Sequence, residues 1–314
     1  MALELSPGET FATYRVEGLI GHGGMATVYR ATAEESGEPI ALKVIADEFG
    51  GDPVFRARFE REARLMRRLR HPNVVALRKA GSFRGVAYLA MELVDGVDLN
   101  AVIAIAGGLH PRHAATVVAE VASALDAAHA RGLVHRDVKP GNVLLARHGD
   151  DVRVCLTDFG LSRERASDSG LTATGHWVGT VDYAAPEQLQ ALPTDARSDV
   201  YGLGCVLYKA LTGELPFARE RDLEKVMAHL TEPPPAPSAA GAPESLDPVL
   251  ARAMAKNPED RYQTAGDLGE AALAAVEEIP PPDAPLLEVV PIPAGGGEGP
   301  TQRRPGAGDA PTAA

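Results

Sequence analysis

Only two cysteines, Cys155 and Cys205, occur in this chain of 314 residues, and both sit in apolar stretches. A disulfide framework is excluded, and the usage fits a reducing compartment in which both act as small buried hydrophobes. Basic residues are outnumbered: Lys+Arg total 31 against Asp+Glu 43, for a formal charge of -12. That balance speaks against a nucleic-acid partner. No uninterrupted apolar run reaches the length of a membrane span, and the start "MALELSPGET" lacks the charged-then-apolar order of a signal peptide. If the chain is a whole protein, the expectation is cytoplasmic. Repeats of solenoid period are also missing. What remains is ordinary for a globular protein, with 45% hydrophobic and 24% charged residues, enough chain for one large or two medium domains.

The order of elements narrows the fold class. Between Tyr14 and Ile45 the segments "YRVEGLI", "TVYRATA" and "IALKVI" alternate as strands, separated by a glycine cluster and by the turn "EESGEP". The stretch "DPVFRARFEREARLMRRL" spaces Phe55, Phe59, Ala63, Met66 and Leu69 at three and four residues, which predicts an amphipathic helix. Two more strands follow, through Leu77 and through "VAYLAMEL", and after "DGVDL" the chain becomes helical, Ala-rich from His113 to Ala130. Strands with one helix, then mostly helices, predict an α+β protein with a β-rich first lobe and a larger α-rich second lobe. Residues 279–314 are dense in Pro and Gly, and are expected to be a disordered tail. The proline cluster at 232–243 reads as a surface loop.

Two stretches carry chemistry. "HRDVKPGN" places Asp137, Lys139 and Asn142 at a spacing that a helix would scatter over its faces, so a loop pointing all three into one cleft is expected. "IGHGGMATV" places Gly21 and Gly23 between two strands. Such glycines, taken alone, are more often a plain hairpin turn than bare amides approaching a phosphate. A dinucleotide fold would need a helix after them, and a P-loop would need Gly-Lys-Ser/Thr; neither pattern is present.

The ordered set decides between those readings. Lys43 in "IALK", Glu62 in the amphipathic helix, "HRDVKPGN", "TDFG" at 157–160 and "AAPE" at 184–187 follow one another as they do in protein kinases. The chain resembles the protein kinase superfamily, and "GHGGMATVYRA", "NPEDRYQTA" and "DVYGLGCVLYKALTGELPF" are most similar to bacterial Ser/Thr protein kinases. The resemblance implies a bilobal fold: a five-stranded antiparallel sheet plus one helix at about 11–93, and a mainly helical lobe at about 94–278. Residues 1–10 would be an N-terminal extension. It also implies transfer of the γ-phosphate of ATP to protein serine and threonine hydroxyls, with Mg²⁺, or Mn²⁺ in its place.

Roles then follow residue by residue, as the resemblance implies them. Lys43 would hold the α- and β-phosphates and Glu62 would hold Lys43, while Asn142 and Asp158 would ligate the metal. Asp137 would receive or orient the acceptor proton, and Lys139 would meet the γ-phosphate. The loop Ile20, Gly21, His22, Gly23, Gly24, Met25, Ala26 and Thr27 would cover the phosphates, with Ala26 where a third glycine is usual and the His22–Met25 tip solvated. Val28, Ala41 and Leu144 would enclose adenine, Met91 would back the pocket, Glu92 and Leu93 would bond the purine edge through their backbones, and Asp98 would reach the ribose. His135 is expected to pack under Phe159, with Met66 joining the same apolar spine. Arg136 implies a switch by phosphorylation, with Thr172 and Thr174 as the acceptors, while Thr180 would shape the substrate site. Glu187 would pair with Arg261, and Asp199 would tether the catalytic loop. The expected partners are protein substrates, with a homodimer through the back of the first lobe as a further expectation. A pseudokinase would show loss of Lys43, Asp137, Asn142 or Asp158, and a small-molecule phosphotransferase would lack the long segment ending in "APE"; neither departure is seen.

Overall fold

The computed structural model describes residues 4–23, 26–46, 53–149, 151–159 and 181–289. In the first lobe, the alternating segments become Tyr14–His22 (β2), Ala26–Ala33 (β3) and Pro39–Ile45 (β4), paired antiparallel. Leu77–Phe83 (β5), Val86–Glu92 (β6) and the short Thr10–Phe11 (β1) complete a six-stranded sheet in the order β1-β2-β3-β4-β6-β5. The sheet therefore has one strand more than expected. Phe11 accounts for the extra edge: it is buried, with ring centroids 5.1 Å from Phe83 and 5.7 Å from Tyr88 in edge-to-face contact. Leu5 fills the same cluster and its amide donates to the Tyr29 hydroxyl at 3.1 Å, so residues expected to precede the domain pack onto it.

Both faces of this sheet are covered, and the strand period of two sorts its side chains between them. Ile40, Leu42 and Val44 enter the rear cluster with Phe11, Tyr14, Tyr29 and Tyr88. Ala41 and Ile45, with Leu89 and Met91, enter the main core on the other face. There the helix Pro53–Arg68 (α1) buries Phe59, Ala63 and Met66 of the expected stripe, with Leu69 following just after it, while the Phe55 side chain lies outside the described residues. Glu62 rides on α1 toward the cleft.

The second lobe is built on Leu99–Ala106 (α2), Pro111–His129 (α3) and Ala196–Thr212 (α5). From Ser198 to Tyr208 α5 is buried on every side, as a helix at the centre of a lobe must be. Asp195 caps its start and Gly213 ends it at φ 78. Around it lie Pro186–Leu189 (α4), Asp222–Thr231 (α6), Asp247–Ala253 (α7) and Ala265–Ala275 (α8). A Cβ on Gly269 would sit 3.0 Å from Ala119 Cα, so this glycine and the alanines of α3 let α8 and α3 approach closely.

A small sheet of Gly96–Asp98 (β7), Val143–His148 (β8) and Asp151–Leu156 (β9) lies where the lobes join. The turn Pro140–Asn142 leads directly into β8, and Asp158 follows two residues after β9. Beyond residue 278 the chain stays packed for a further stretch: Arg112 donates to the Glu277 and Ile279 carbonyls, and Ile279 and Leu286 lie against the core. Leu286–Val289 (α9) contacts β9, so the expected tail begins later than position 279.

Candidate active site

The loop at 135–142 is held by buried hydrogen bonds. Asp199, 1% exposed on α5, accepts the amides of His135 and Arg136, each at 2.7 Å, and His129 Nε2 at 2.7 Å. These bonds support Arg136 at φ 63, a left-handed conformation that a non-glycine residue adopts where its surroundings enforce it. Gln188 adds a bond from its side-chain amide to the Arg136 carbonyl at 2.9 Å.

His135 is fully buried, its ring 4.6 Å from Phe159 between centroids. Nε2 lies 2.9 Å from the Thr157 carbonyl and Nδ1 accepts the Asp137 amide at 3.2 Å, so the proton resides on Nε2 of a neutral ring. Burial pushes the imidazole pKa down, against the pull of Asp199. This histidine is packing, not acid–base machinery.

Asp137, Lys139 and Asn142 converge. Lys139 Nζ is 2.9 Å from Asp137 Oδ2, and Asn142 Nδ2 donates to the Asp137 carbonyl at 2.7 Å and to Oδ2 at 3.3 Å. The short turn Pro140–Asn142 sets that approach. Both bonds use the Asn142 nitrogen, which turns its amide oxygen away; among the described residues that oxygen accepts no hydrogen bond.

Across the cleft stands Asp158, at φ 61, two residues beyond β9. Its Oδ1 lies 2.8 Å from Lys43 Nζ. Burial alone would raise the Asp158 carboxyl, but the Lys43 ammonium outweighs it and holds the group below the usual carboxylate range. Glu62 was expected on Lys43; it faces Arg136 instead, with Nη1 to Oε1 at 3.6 Å. The pairing is set by reach: Lys43 holds the Asp158 carboxylate at 2.8 Å, and the cationic Arg136 lies beside Glu62.

The Lys43–Asp158 pair yields a pH prediction. Because the folded-state pKa is depressed, the pair stabilises the fold above the unfolded carboxylate value and loses that contribution as pH falls through the lower folded value. Asp158→Asn is therefore expected to lower Tm at pH 7 and to converge with wild type in strong acid. A constant difference in Tm across that range would contradict the ion-pair account.

The residues expected to line a purine come together by strand register. Val28 is paired with Lys43 and Ala41 with Met91, while Leu144 on β8 is paired with Asp98. Asp98 itself caps α2, Oδ1 accepting the Ala101 amide at 2.9 Å. His22 is exposed, as expected, and closes β2, its Nδ1 2.9 Å from the Thr27 hydroxyl across the hairpin. Leu19 and Ile20 are exposed beside it. Gly24 and Met25 lie outside the described residues, as do Thr172, Thr174 and Thr180.

Glu187 and Arg261 form a forked ion pair, 2.7 and 2.8 Å, with Arg261 0% exposed and Ser198 Oγ also donating to Glu187 at 2.7 Å. It braces α4 against α5, through Ser198 and the Arg197 carbonyl. His129, Gln188 and Ser198 were not anticipated from the sequence. For His129 the only available signal was a histidine ending an Ala-rich helix six residues before His135.

Two hard oxygen donors face one cleft, Asp158 and the Asn142 amide oxygen, and among the described residues there is no cluster of three or more His, Cys, Asp or Glu side chains. That donor set suits Mg²⁺ shared with phosphate oxygens, not a cation caged by protein alone.

A β-rich lobe with one helix, hinged on a helical lobe, with a lysine, two metal-type oxygen donors and an acid–lysine pair in the cleft, defines a phosphotransferase architecture. Residues 14–270 match the protein kinase domain, and the chain belongs to the protein kinase family. The Ser/Thr protein kinase PknJ of Mycobacterium tuberculosis is 45% identical over 296 residues, which cover 91% of this chain and 50% of that protein. PknH of Mycobacterium tuberculosis, also a Ser/Thr protein kinase, is 45% identical over 278 residues, 88% of this chain and 43% of that one. The crystal structure of the Mycobacterium tuberculosis PknI kinase domain superposes with a TM-score of 0.71 at 33% identity, covering 87% of this chain and 100% of that domain. The chain thus spans about half the length of the curated relatives it matches. Among the described residues no helix is long and apolar enough to cross a membrane.

Proposed function

We propose that this chain is a Ser/Thr protein kinase that transfers the γ-phosphate of ATP to protein hydroxyls, acts in signal transduction and works in the cytoplasm. The convergence of Asp137, Lys139 and Asn142 opposite Lys43 and Asp158 is the observation that carries this reading. Mg²⁺, or Mn²⁺ in its place, would be held by Asp158 and Asn142 and would neutralise charge on the phosphate oxygens. Lys43 neutralises the α- and β-phosphates, Lys139 the transferred group, and Asp137 takes the acceptor proton. Val28, Ala41, Leu144 and Met91 enclose adenine, and the Glu92 and Leu93 backbones read its edge. Gly21 and Gly23 leave the phosphates room under the hairpin.

Lys43–Asp158 and Arg136–Glu62 are the resting pairs in this scheme. Turnover requires Asp158 to serve the metal and Lys43 to serve phosphate, so Glu62 must leave Arg136 and support Lys43. Phosphate on Thr172 or Thr174 would offer Arg136 a stronger anion and release Glu62. Replacing both threonines by alanine is expected to lower turnover; a fully dephosphorylated enzyme as active as the phosphorylated one contradicts the switch.

Acceptor identity tests the proposal as a whole. With ATP, Mg²⁺ and a peptide library carrying Ser, Thr or Tyr acceptors, label is expected on Ser and Thr only. Phosphotyrosine, or ADP formed without labelled peptide, contradicts it. Self-association through the rear of the first lobe belongs to the same proposal, and activation that is independent of protein concentration would remove it.

A further inference from the structure

Arg153 lies on β9, outside every motif that bears the proposed chemistry, yet its guanidinium joins three segments that the chemistry depends on. Nη1 is 2.5 Å from Glu92 Oε1 and Nη2 is 3.5 Å from Oε2, while Nε donates to the Pro72 carbonyl at 3.0 Å. Glu92 Oε2 also accepts the Ala76 amide at 3.3 Å, and the Glu92 amide donates to the Ala76 carbonyl at 2.8 Å.

The three segments are specific. Glu92 closes β6, where backbone groups would read the purine. Residues 72–76 follow α1, which carries Glu62, and are themselves stitched to β9: Leu156 donates to Asn73 and Val75 donates to Leu156, at 2.8 and 3.0 Å. β9 ends two residues before Asp158. One side chain therefore fixes the spacing between the purine edge and the metal-binding carboxylate.

The pair is more than a surface contact. Arg153 and Glu92 are 29% and 24% exposed. Burial would raise the Glu92 carboxyl, and the Arg153 fork together with the Ala76 amide more than reverses this. A planar fork also fixes orientation, which a lysine ammonium does not.

We propose that Arg153 and Glu92 are positioning residues for the nucleotide: their fork holds the purine-reading backbone at the distance from Asp158 that one ATP molecule spans. This rests on the kinase reading above. Neither side chain contacts the reacting atoms, so its effect is carried by affinity for ATP, not by the transfer step.

The test uses the full chain with Arg153→Met, Glu92→Gln, the double variant and Arg153→Lys. Dissociation constants for a fluorescent ATP analogue, KM and kcat for ATP, and Tm are measured on each. Each single substitution is expected to raise Kd and KM about tenfold with kcat within about threefold, the loss of a charge-assisted contact expressed in binding. The double variant should be no worse than the weaker single, and Arg153→Lys should recover part of the affinity. Unchanged Kd and KM with a lowered Tm would reduce the pair to a structural brace and overturn the inference, as would single effects that multiply in the double variant. A wild-type chain that binds no nucleotide would overturn the kinase reading, and this inference with it.

Discussion

On the proposed function, Asp137→Asn is expected to lower the rate of phosphoryl transfer by about 10²–10⁴-fold, the usual share of a positioned acid–base group, with ATP affinity within a few-fold of wild type. The reason for the split lies in the contacts. Asp137 faces Lys139 and Asn142 at the acceptor side of the cleft. The Lys43–Asp158 ion pair and the register of β3, β4 and β6 do not use the Asp137 side chain, so the substitution leaves them in place. The amide of asparagine can still take the bond from Asn142, so the loop keeps its shape. What is lost is a basic oxygen at the hydroxyl and an anion beside Lys139. Kinetics with ATP and a peptide acceptor, with Kd measured separately, check this. A variant that transfers at the wild-type rate would remove Asp137 from the chemistry.

Glu187→Ala is expected to cost about 3–5 kcal/mol of stability, because it strands the guanidinium of Arg261 in a lobe from which water is excluded. Arg261 keeps its bonds to the Ala255, Arg197 and Lys256 carbonyls, but no anion then balances its charge. Paired replacement of Glu187 and Arg261 by apolar residues of similar volume should destabilise far less, since the penalty comes from the lone charge and not from the missing attraction. Urea unfolding of the single and double variants tests this. Equal losses in the two would contradict it. The pair also predicts an acid limb: burial would raise the Glu187 carboxyl, Arg261 holds it down, and the stabilisation is lost as pH falls through that lowered value.

Much of this architecture is legible in the residues. The stripe Phe59, Ala63, Met66 and Leu69 announces which face of α1 is buried, and the alternation around Lys43 places it on the cleft side of β4. Local pattern is enough for both, because each depends on a period of 3.6 or 2 within one element. The partner that Lys43 selects is a different matter. Asp158 and Glu62 are both carboxylates within reach of the cleft, and the choice between them depends on where α1 rests and on whether Arg136 competes.

Other features escaped for related reasons. Leu5 falls in the stretch expected to be an N-terminal extension, and becomes a lobe residue only because Phe11, Tyr29 and Tyr88 form an aromatic surface that it joins. Pro and Gly after position 279 suggested a tail, but Arg112 is 167 residues from the Ile279 carbonyl it binds, a contact no window of sequence can reveal. Arg153 has no motif at all. Its contacts arise from β9, the end of β6 and the segment after α1 meeting at one point.

Transfer of the γ-phosphate from labelled ATP to a serine- or threonine-bearing acceptor by the purified wild-type chain, with Mg²⁺ and then with EDTA, tests the central claim most directly. The account predicts label on hydroxyl side chains with Mg²⁺ and none with EDTA. ATP that binds and stays intact, or that is split to free phosphate with the acceptor unlabelled, would contradict it.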